Sequence, residues 1–148
     1  MKLESTSFKN GQEIPRKYGY KQDNVNPPLV IKDVPSETKS LALIMDDPDA
    51  MKAVGRLWVH WLVWNINPKT SQIKENSTPE NSIQGKTDFG EIAYGGPAPP
   101  DKEHLYIFNL YALDSEINLK KGATKEKLEE AMKNHIISEA KLTGKYAP

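Results

Sequence analysis

The chain carries three histidines and no cysteine, so the side chains able to do chemistry are quickly located. One group is the acidic run Asp46-Asp47-Pro48-Asp49, a second is His60, and a third is His104 with Tyr106 two residues on. The stretch Gly95-Gly96-Pro97-Ala98-Pro99-Pro100 precedes the third group, and its glycines and prolines suit neither a helix nor a strand ladder. Two imidazoles, a phenol and the backbone N–H groups of such a loop form a donor-rich pocket. That chemistry suits a small anion: phosphate, a phosphate ester or a carboxylate. A carboxylate beside one imidazole would fix its tautomer and favour the protonated ring. On that reading anion binding weakens between about pH 5.5 and 8, as His60 loses its proton.

Other chemistries find less support. The lack of cysteine removes thiolate metal sites, disulfides and thiol nucleophiles. Two histidines and a carboxylate could form a facial metal triad. However, His60 and His104 fall on separate segments with no close histidine pair, so no metal and no other cofactor is expected. There is no Gly-x-Ser-x-Gly elbow, and no serine sits beside an evident base. Asp88-Phe89-Gly90 spells the magnesium motif of kinases without the glycine-rich loop that must accompany it. Each candidate also has a structural reading: the acidic run as a solvated turn, His60 as a core histidine, His104 as a strand cap. His135 reads as packing on an apolar helix face.

The elements that must position these groups are mostly strands. Leu41 to Met45 is an apolar run too short for a helix, and it ends in the acidic group. Trp58 to Ile66 is rich in aromatic and β-branched residues. Strict alternation puts Trp58, His60, Leu62 and Trp64 on one face, and Val59, Trp61 and Val63 on the other. His104 to Leu113 alternates similarly, with His104, Tyr106, Phe108 and Leu110 together. Leu29-Val30-Ile31 is a shorter strand, and residues 67–88 form a long polar connection. Only the tail reads as helical: Thr124 as N-cap, then Leu128, Ala131, Met132, His135 and Ile136 at helical spacing, with Gly144 as the stop. The expectation is one domain over residues 1–148, mainly β: an antiparallel β-sandwich with a C-terminal α-helix.

Composition narrows the partners. Twenty basic and twenty acidic residues leave no net charge, so a dedicated nucleic-acid binder is not expected. No apolar run reaches the ~18 residues of a membrane span. The N-terminus lacks the apolar stretch of a signal peptide, which makes the cytoplasm the expected location.

Taken in order, these segments resemble the phosphatidylethanolamine-binding protein family, also called the Raf kinase inhibitor protein family, in its compact bacterial and archaeal branch. The resemblance rests on Asp46-Asp47-Pro48-Asp49-Ala50, Trp58-Val59-His60-Trp61-Leu62-Val63-Trp64-Asn65, Asp88-Phe89-Gly90, Tyr94-Gly95-Gly96-Pro97-Ala98-Pro99-Pro100, His104-Leu105-Tyr106, and the ending through Leu142-Thr143-Gly144-Lys145-Tyr146. It implies a β-sandwich with an anion cavity, no metal and no catalysis. The matching ligand-binding positions are Asp47, Asp49, His60, His104, Tyr106 and the backbone N–H near Ala98. Met51, Leu105 and Ala98 depart from the residues the family usually has at those places. The resemblance also implies a homodimer, and as the alternative function inhibition of a serine protease or a kinase through residues 67–88 or 95–103. An enzyme using His60 and His104 as acid and base ranks last, because no nucleophile or metal accompanies them.

Overall fold

The computed structural model describes residues 1–148. The strands in chain order are β1 (Lys2–Glu4), β2 (Leu29–Lys32), β3 (Ser40–Asp47), β4 (Trp58–Ile66), β5 (Gln72–Ile73), β6 (Ile83–Gln84), β7 (His104–Leu113) and β8 (Ile136–Tyr146). Helix α1 (Ala50–Val54) and helix α2 (Lys125–Met132) are short, and a 3-10 turn covers Arg16–Tyr18. The protein is mainly β, with two antiparallel sheets, β1-β2-β5 and β6-β4-β3-β7-β8.

The apolar run of β3 explains the architecture. Every residue of this strand is buried, so it needs a partner on both edges and a cover on both faces. Strands β4 and β7 take its edges. On the inner face Leu43 and Met45 pack with Trp61, Val63 and Phe108 against Leu3, Leu29 and Ile31 of the small sheet. On the outer face Ala42, Ile44, Leu62 and Trp64 are covered by Ile117 and by Leu128 and Met132 of α2.

Alternation along β4 fails twice, once between Val63 and Ile66, where Asn65 takes a left-handed φ of 54°, and once at His60. Met45 pairs with Trp61, whereas the next residue, Asp46, pairs with Val59. His60 is therefore the extra residue of a β-bulge. Val59 consequently joins Leu62 and Trp64 on the outer face, and Trp61 enters the inter-sheet core. The His60 ring lies beside Tyr106, with centroids 5.1 Å apart.

The tail also differs from its periodicity. Helix α2 starts as expected, with Thr124 Oγ1 accepting from the Lys127 N–H at 3.3 Å. It stops at Met132, well short of Gly144. Asn134 takes a left-handed φ of 68°, and the chain returns as β8, so a strand ends the fold. His135 lies beyond the helix, its Nδ1 2.7 Å from Asp114 Oδ1 at the surface. Gly144 sits in β8 opposite Tyr106. A Cβ on Gly144 would come within 2.5 Å of Ile14 Cγ1 and 2.9 Å of Phe8 Cε2. Helix α1, without a clear sequence signal, is closed by Gly55 at φ 81°. No helix is long and apolar enough to cross a membrane.

Gly144→Ala is expected to destabilise the protein by roughly 1–3 kcal/mol, the scale of overpacking a filled core. Urea unfolding measures this, and a midpoint equal to wild type would show that Ile14 and Phe8 yield freely.

Candidate functional site

The three carboxylates at the mouth of β3 have three different jobs. Asp46 turns to the outer face, 3.8 Å from Lys125 Nζ. Burial nonetheless pushes its carboxyl up to about 6, against the pull of Lys125. Asp47 turns inward: its Oδ2 lies 2.6 Å from His104 Nδ1, and its Oδ1 accepts from the Ala50 N–H at 3.2 Å. Asp49 bridges two strands' ends, accepting the Leu105 N–H at 2.8 Å.

His104 has no free nitrogen. Its Nε2 lies 2.7 Å from Asp101 Oδ1, so a carboxylate stands at each end of a ring with no exposed side-chain surface. Burial pushes this imidazole down, but the two carboxylates outweigh it and its pKa is raised. The bond from His104 lowers the Asp101 carboxyl. For Asp47 burial dominates and raises the pKa, with His104 pulling the other way.

His60 is wired differently. Its Nδ1 is 2.7 Å from the Gly95 carbonyl oxygen, while its own carbonyl accepts the Gly95 N–H at 2.8 Å. No carboxylate touches it. Burial pushes the imidazole down to about 4, against the Gly95 and Gly96 backbone, which favours the charged ring. The expected protonation of His60 near neutral pH is thus corrected. The aspartate belongs to His104, and His60 is a neutral ring with Nδ1–H donating and Nε2 unpartnered.

The Gly95–Pro100 loop is anchored by few bonds because three of its six residues are prolines. The Gly96 N–H donates to Asn24 Oδ1 at 2.8 Å, and the Pro97 carbonyl accepts from the Tyr20 N–H at 2.9 Å. Gly96 lies so close to the backbone of Tyr18 to Tyr20 that any Cβ would drive into the Tyr18 carbonyl. With Gly95 N–H and Gly96 N–H bonded, only the Ala98 N–H of this loop has no partner.

These groups surround a cavity of about 210 Å³ lined by Asp47, His60, Ala98 and Tyr106 with apolar walls from Ala50, Val54, Trp58, Phe89 and Pro100. The Tyr106 hydroxyl is buried and has no hydrogen-bond partner. Burial and then the Asp47 charge push its pKa well up, with the Ala98 backbone N–H beside the hydroxyl pulling the other way, so it is a neutral donor. Asp88-Phe89-Gly90 is a structural turn. Asp88 accepts the Val59 N–H at 2.7 Å and pairs with Arg56 at 2.6 Å. Phe89 stacks on Tyr20 at 4.0 Å and meets the His60 ring edge-on at 5.4 Å.

Of the six sequence candidates, Asp47, His60, Ala98 and Tyr106 meet at the cavity. His104 and Asp49 do not: His104 stands behind Asp47 as its counter-ion, and Asp49 ties the turn to β7. Sequence reasoning missed Asp101, three residues before His104. It also missed the aromatic walls, Trp58 and Phe89, whose signal was their place beside His60 and the loop. No group of three or more His, Asp or Glu side chains is arranged to hold a metal ion.

Fold and site together define a two-sheet β protein with one small polar-floored cavity at the mouth of its central strands. A family model described as phosphatidylethanolamine-binding protein matches residues 4–147, and the chain belongs to that family. A UPF0098 protein of Methanothermobacter thermautotrophicus is 44% identical over 151 residues, covering 99% of this chain and 98% of that one. One of Chlamydia trachomatis is 45% identical over 148 residues, with the same coverage. Among solved structures, the phosphatidylethanolamine-binding protein homologue CT736 of Chlamydia trachomatis superposes with a TM-score of 0.92 at 44% identity, over 98% of this chain and 95% of that one. Escherichia coli YbcL gives 0.90 at 28% identity, over 98% and 96%. A carboxypeptidase Y inhibitor, solved with its cognate proteinase, gives 0.56 at 19% identity over 97% and 80%, which is a likeness of fold alone.

The two buried histidines oppose each other in their linkage to pH. The raised pKa of His104 gives stability present below about 6.5 and lost as pH climbs through the folded value. The lowered pKa of His60 means that stability is lost as pH falls from about 6.5 towards its folded value. Ring-resonance titration by NMR is expected to show His60 neutral throughout pH 5–8 and His104 titrating above about 6.5. The stability margin of wild type over His104→Gln should shrink as pH rises above that value. A His60 midpoint near 6.5 would overturn the assignment.

Proposed function

We propose that this chain is a non-enzymatic binding protein whose cavity holds the small oxyacid head of a ligand: a phosphate, a phosphorylated headgroup or a carboxylate. One observation carries the reading. The Tyr106 O–H is buried without a partner, and it lines one cavity with His60, whose Nε2 makes no bond inside the chain, and with Ala98, whose backbone N–H stands beside the Tyr106 hydroxyl. A buried hydroxyl without a partner, such as that of Tyr106, costs roughly 1–3 kcal/mol. The gathering of these groups at one cavity therefore favours a ligand that satisfies them. The volume supports a headgroup: drug-sized ligands occupy about 300–1,000 Å³, more than the 210 Å³ present. The family's name, with its phosphorylated headgroup, agrees with that size. No nucleophile stands beside His60, and both nitrogens of His104 are occupied, so nothing in the cavity is set up to attack a ligand.

Inhibition of a protease or kinase would fall to the exposed residues of 67–82. In the second candidate loop Gly95 to Pro97 and Pro99 are buried, and Pro100 to Glu103 are the exposed part that would add to that surface.

Calorimetric titration of methyl phosphate at pH 5 should give saturable one-to-one binding, with the ester recovered intact. Tyr106→Phe deletes one donor to a charged oxygen and should weaken binding by roughly 1.5–3 kcal/mol, about tenfold or more. Binding unchanged in Tyr106→Phe would move the ligand elsewhere.

A further inference from the structure

The hydrogen-bonding sense of the cavity is fixed by its walls. A carbonyl oxygen only accepts, so the 2.7 Å contact with Gly95 requires the proton on His60 Nδ1. The ring is neutral and lines the cavity, which leaves Nε2 as an acceptor. Tyr106 O–H and Ala98 N–H are donors. The cavity therefore offers two donors and one acceptor, together with the carboxylate of Asp47.

No cation lines it. The charge of His104 is held between Asp47 and Asp101, 2.6 and 2.7 Å away. Arg56 pairs with Asp88 at 2.6 Å over the outer side of Trp58, and its side chain is 59% exposed. The other charged groups nearby face away: Asp49 is bonded to the Leu105 N–H, and Lys52 is an exposed residue of α1. A fully ionised oxyanion would set its lone pairs against His60 Nε2 and add its second charge to the field of Asp47. An oxyacid that keeps one proton meets neither penalty. Its O–H donates to Nε2, and its ionised oxygens accept from Tyr106 and Ala98.

We propose that the cavity selects the proton-bearing form of its ligand, a phosphate monoester as the monoanion and not the dianion, with His60 Nε2 accepting the ligand's own proton. This rests on the binding function proposed above and makes His60 the residue that sets specificity between protonation states.

Methyl phosphate and methyl sulfate have nearly the same shape, and both are monoanions at pH 5, but only the phosphate carries a proton. Titrating wild-type protein with each from pH 5 to 8 tests the proposal. A phosphate monoester loses its second proton near pH 6. Methyl phosphate affinity should be level below that value and then fall about tenfold per pH unit. Methyl sulfate should bind at least about tenfold more weakly at pH 5 and show no trend up to about pH 6.5, weakening only above it as His104 loses its charge beside Asp47. Equal affinity for the two at pH 5 would overturn the proposal and leave the binding function standing. So would methyl phosphate tightening towards pH 8, or methyl sulfate binding that weakens between pH 5 and about 6.5, below the titration of His104, because His60 would then supply the proton. Binding of neither compound at any pH would remove the binding function itself, and this proposal with it. In His60→Gln the side-chain amide can donate as well as accept, so the gap between the two compounds should narrow. If that variant fails to fold, the ¹⁵N shift of His60 Nε2 in the wild-type complex at pH 5 decides: an unprotonated value supports the proposal and a protonated one overturns it.

Discussion

The peptide of Gly95 is held from both sides by His60, with its N–H on the His60 carbonyl and its carbonyl on the His60 ring. Proline removes half of the backbone donors of the Gly95–Pro100 loop, which is otherwise held by Gly96 N–H on Asn24 and the Pro97 carbonyl on Tyr20. The two hydrogen bonds with His60 are the loop's ties to β4, and they help fix the direction of the Ala98 N–H. The bulge in β4 makes the arrangement available. As the extra residue, His60 keeps its ring beside Tyr106 while Trp61, next in sequence, still enters the inter-sheet core. One local irregularity thus builds the cavity wall and sets the tautomer of the ring that lines it.

The same economy governs charge. A buried carboxylate such as Asp47 is costly unless paired, and His104 supplies the partner without entering the cavity. Asp101 completes the set from the surface, its side chain 43% exposed, and while His104 keeps its proton the row carries one net negative charge, with its positive member buried. Asp46, one residue earlier, faces the opposite side of the sheet and has only Lys125 at 3.8 Å, and burial accordingly raises its carboxyl to about 6. Neighbouring aspartates in one strand therefore differ because alternation sends them to different surroundings.

Much of this was legible in the chain because burial writes itself into apolar runs. The central strands β3, β4 and β7 are long apolar segments, and turn residues mark where they end. The tail was misread for a physical reason. Leu128 and Met132 belong to a real helix, and His135 and Ile136 happen to continue its spacing although Asn134 has already turned the chain. An edge strand with exposed Ile136 and Ile137 shows little alternation until Leu142, Gly144 and Tyr146. The motif residues of the site could be listed from sequence, but their wiring could not. Which histidine receives the aspartate depends on the register of β3 against β7 and on a bulge, neither of which leaves a one-dimensional signal. Exchanging that partner reverses the chemistry: a paired His60 would be a charged donor, whereas the unpaired, buried ring is a neutral acceptor.

That reversal changes what kind of recognition the cavity can perform. A cluster of cations would draw in any anion from a distance and discriminate weakly among them. Here the charges are neutralised or negative, the chain has no net charge, and long-range attraction contributes little. Discrimination falls to the pattern of donors and acceptors, where a mismatched partner leaves a buried group unsatisfied. The apolar walls sharpen that pattern, since Trp58, Phe89 and Pro100 line the cavity without a charged group to compensate a poor fit. On the proposed reading, the two hydrogen bonds between His60 and Gly95 set selectivity as well as shape: they fix which nitrogen carries the proton, and a ligand would have to answer with the complementary one.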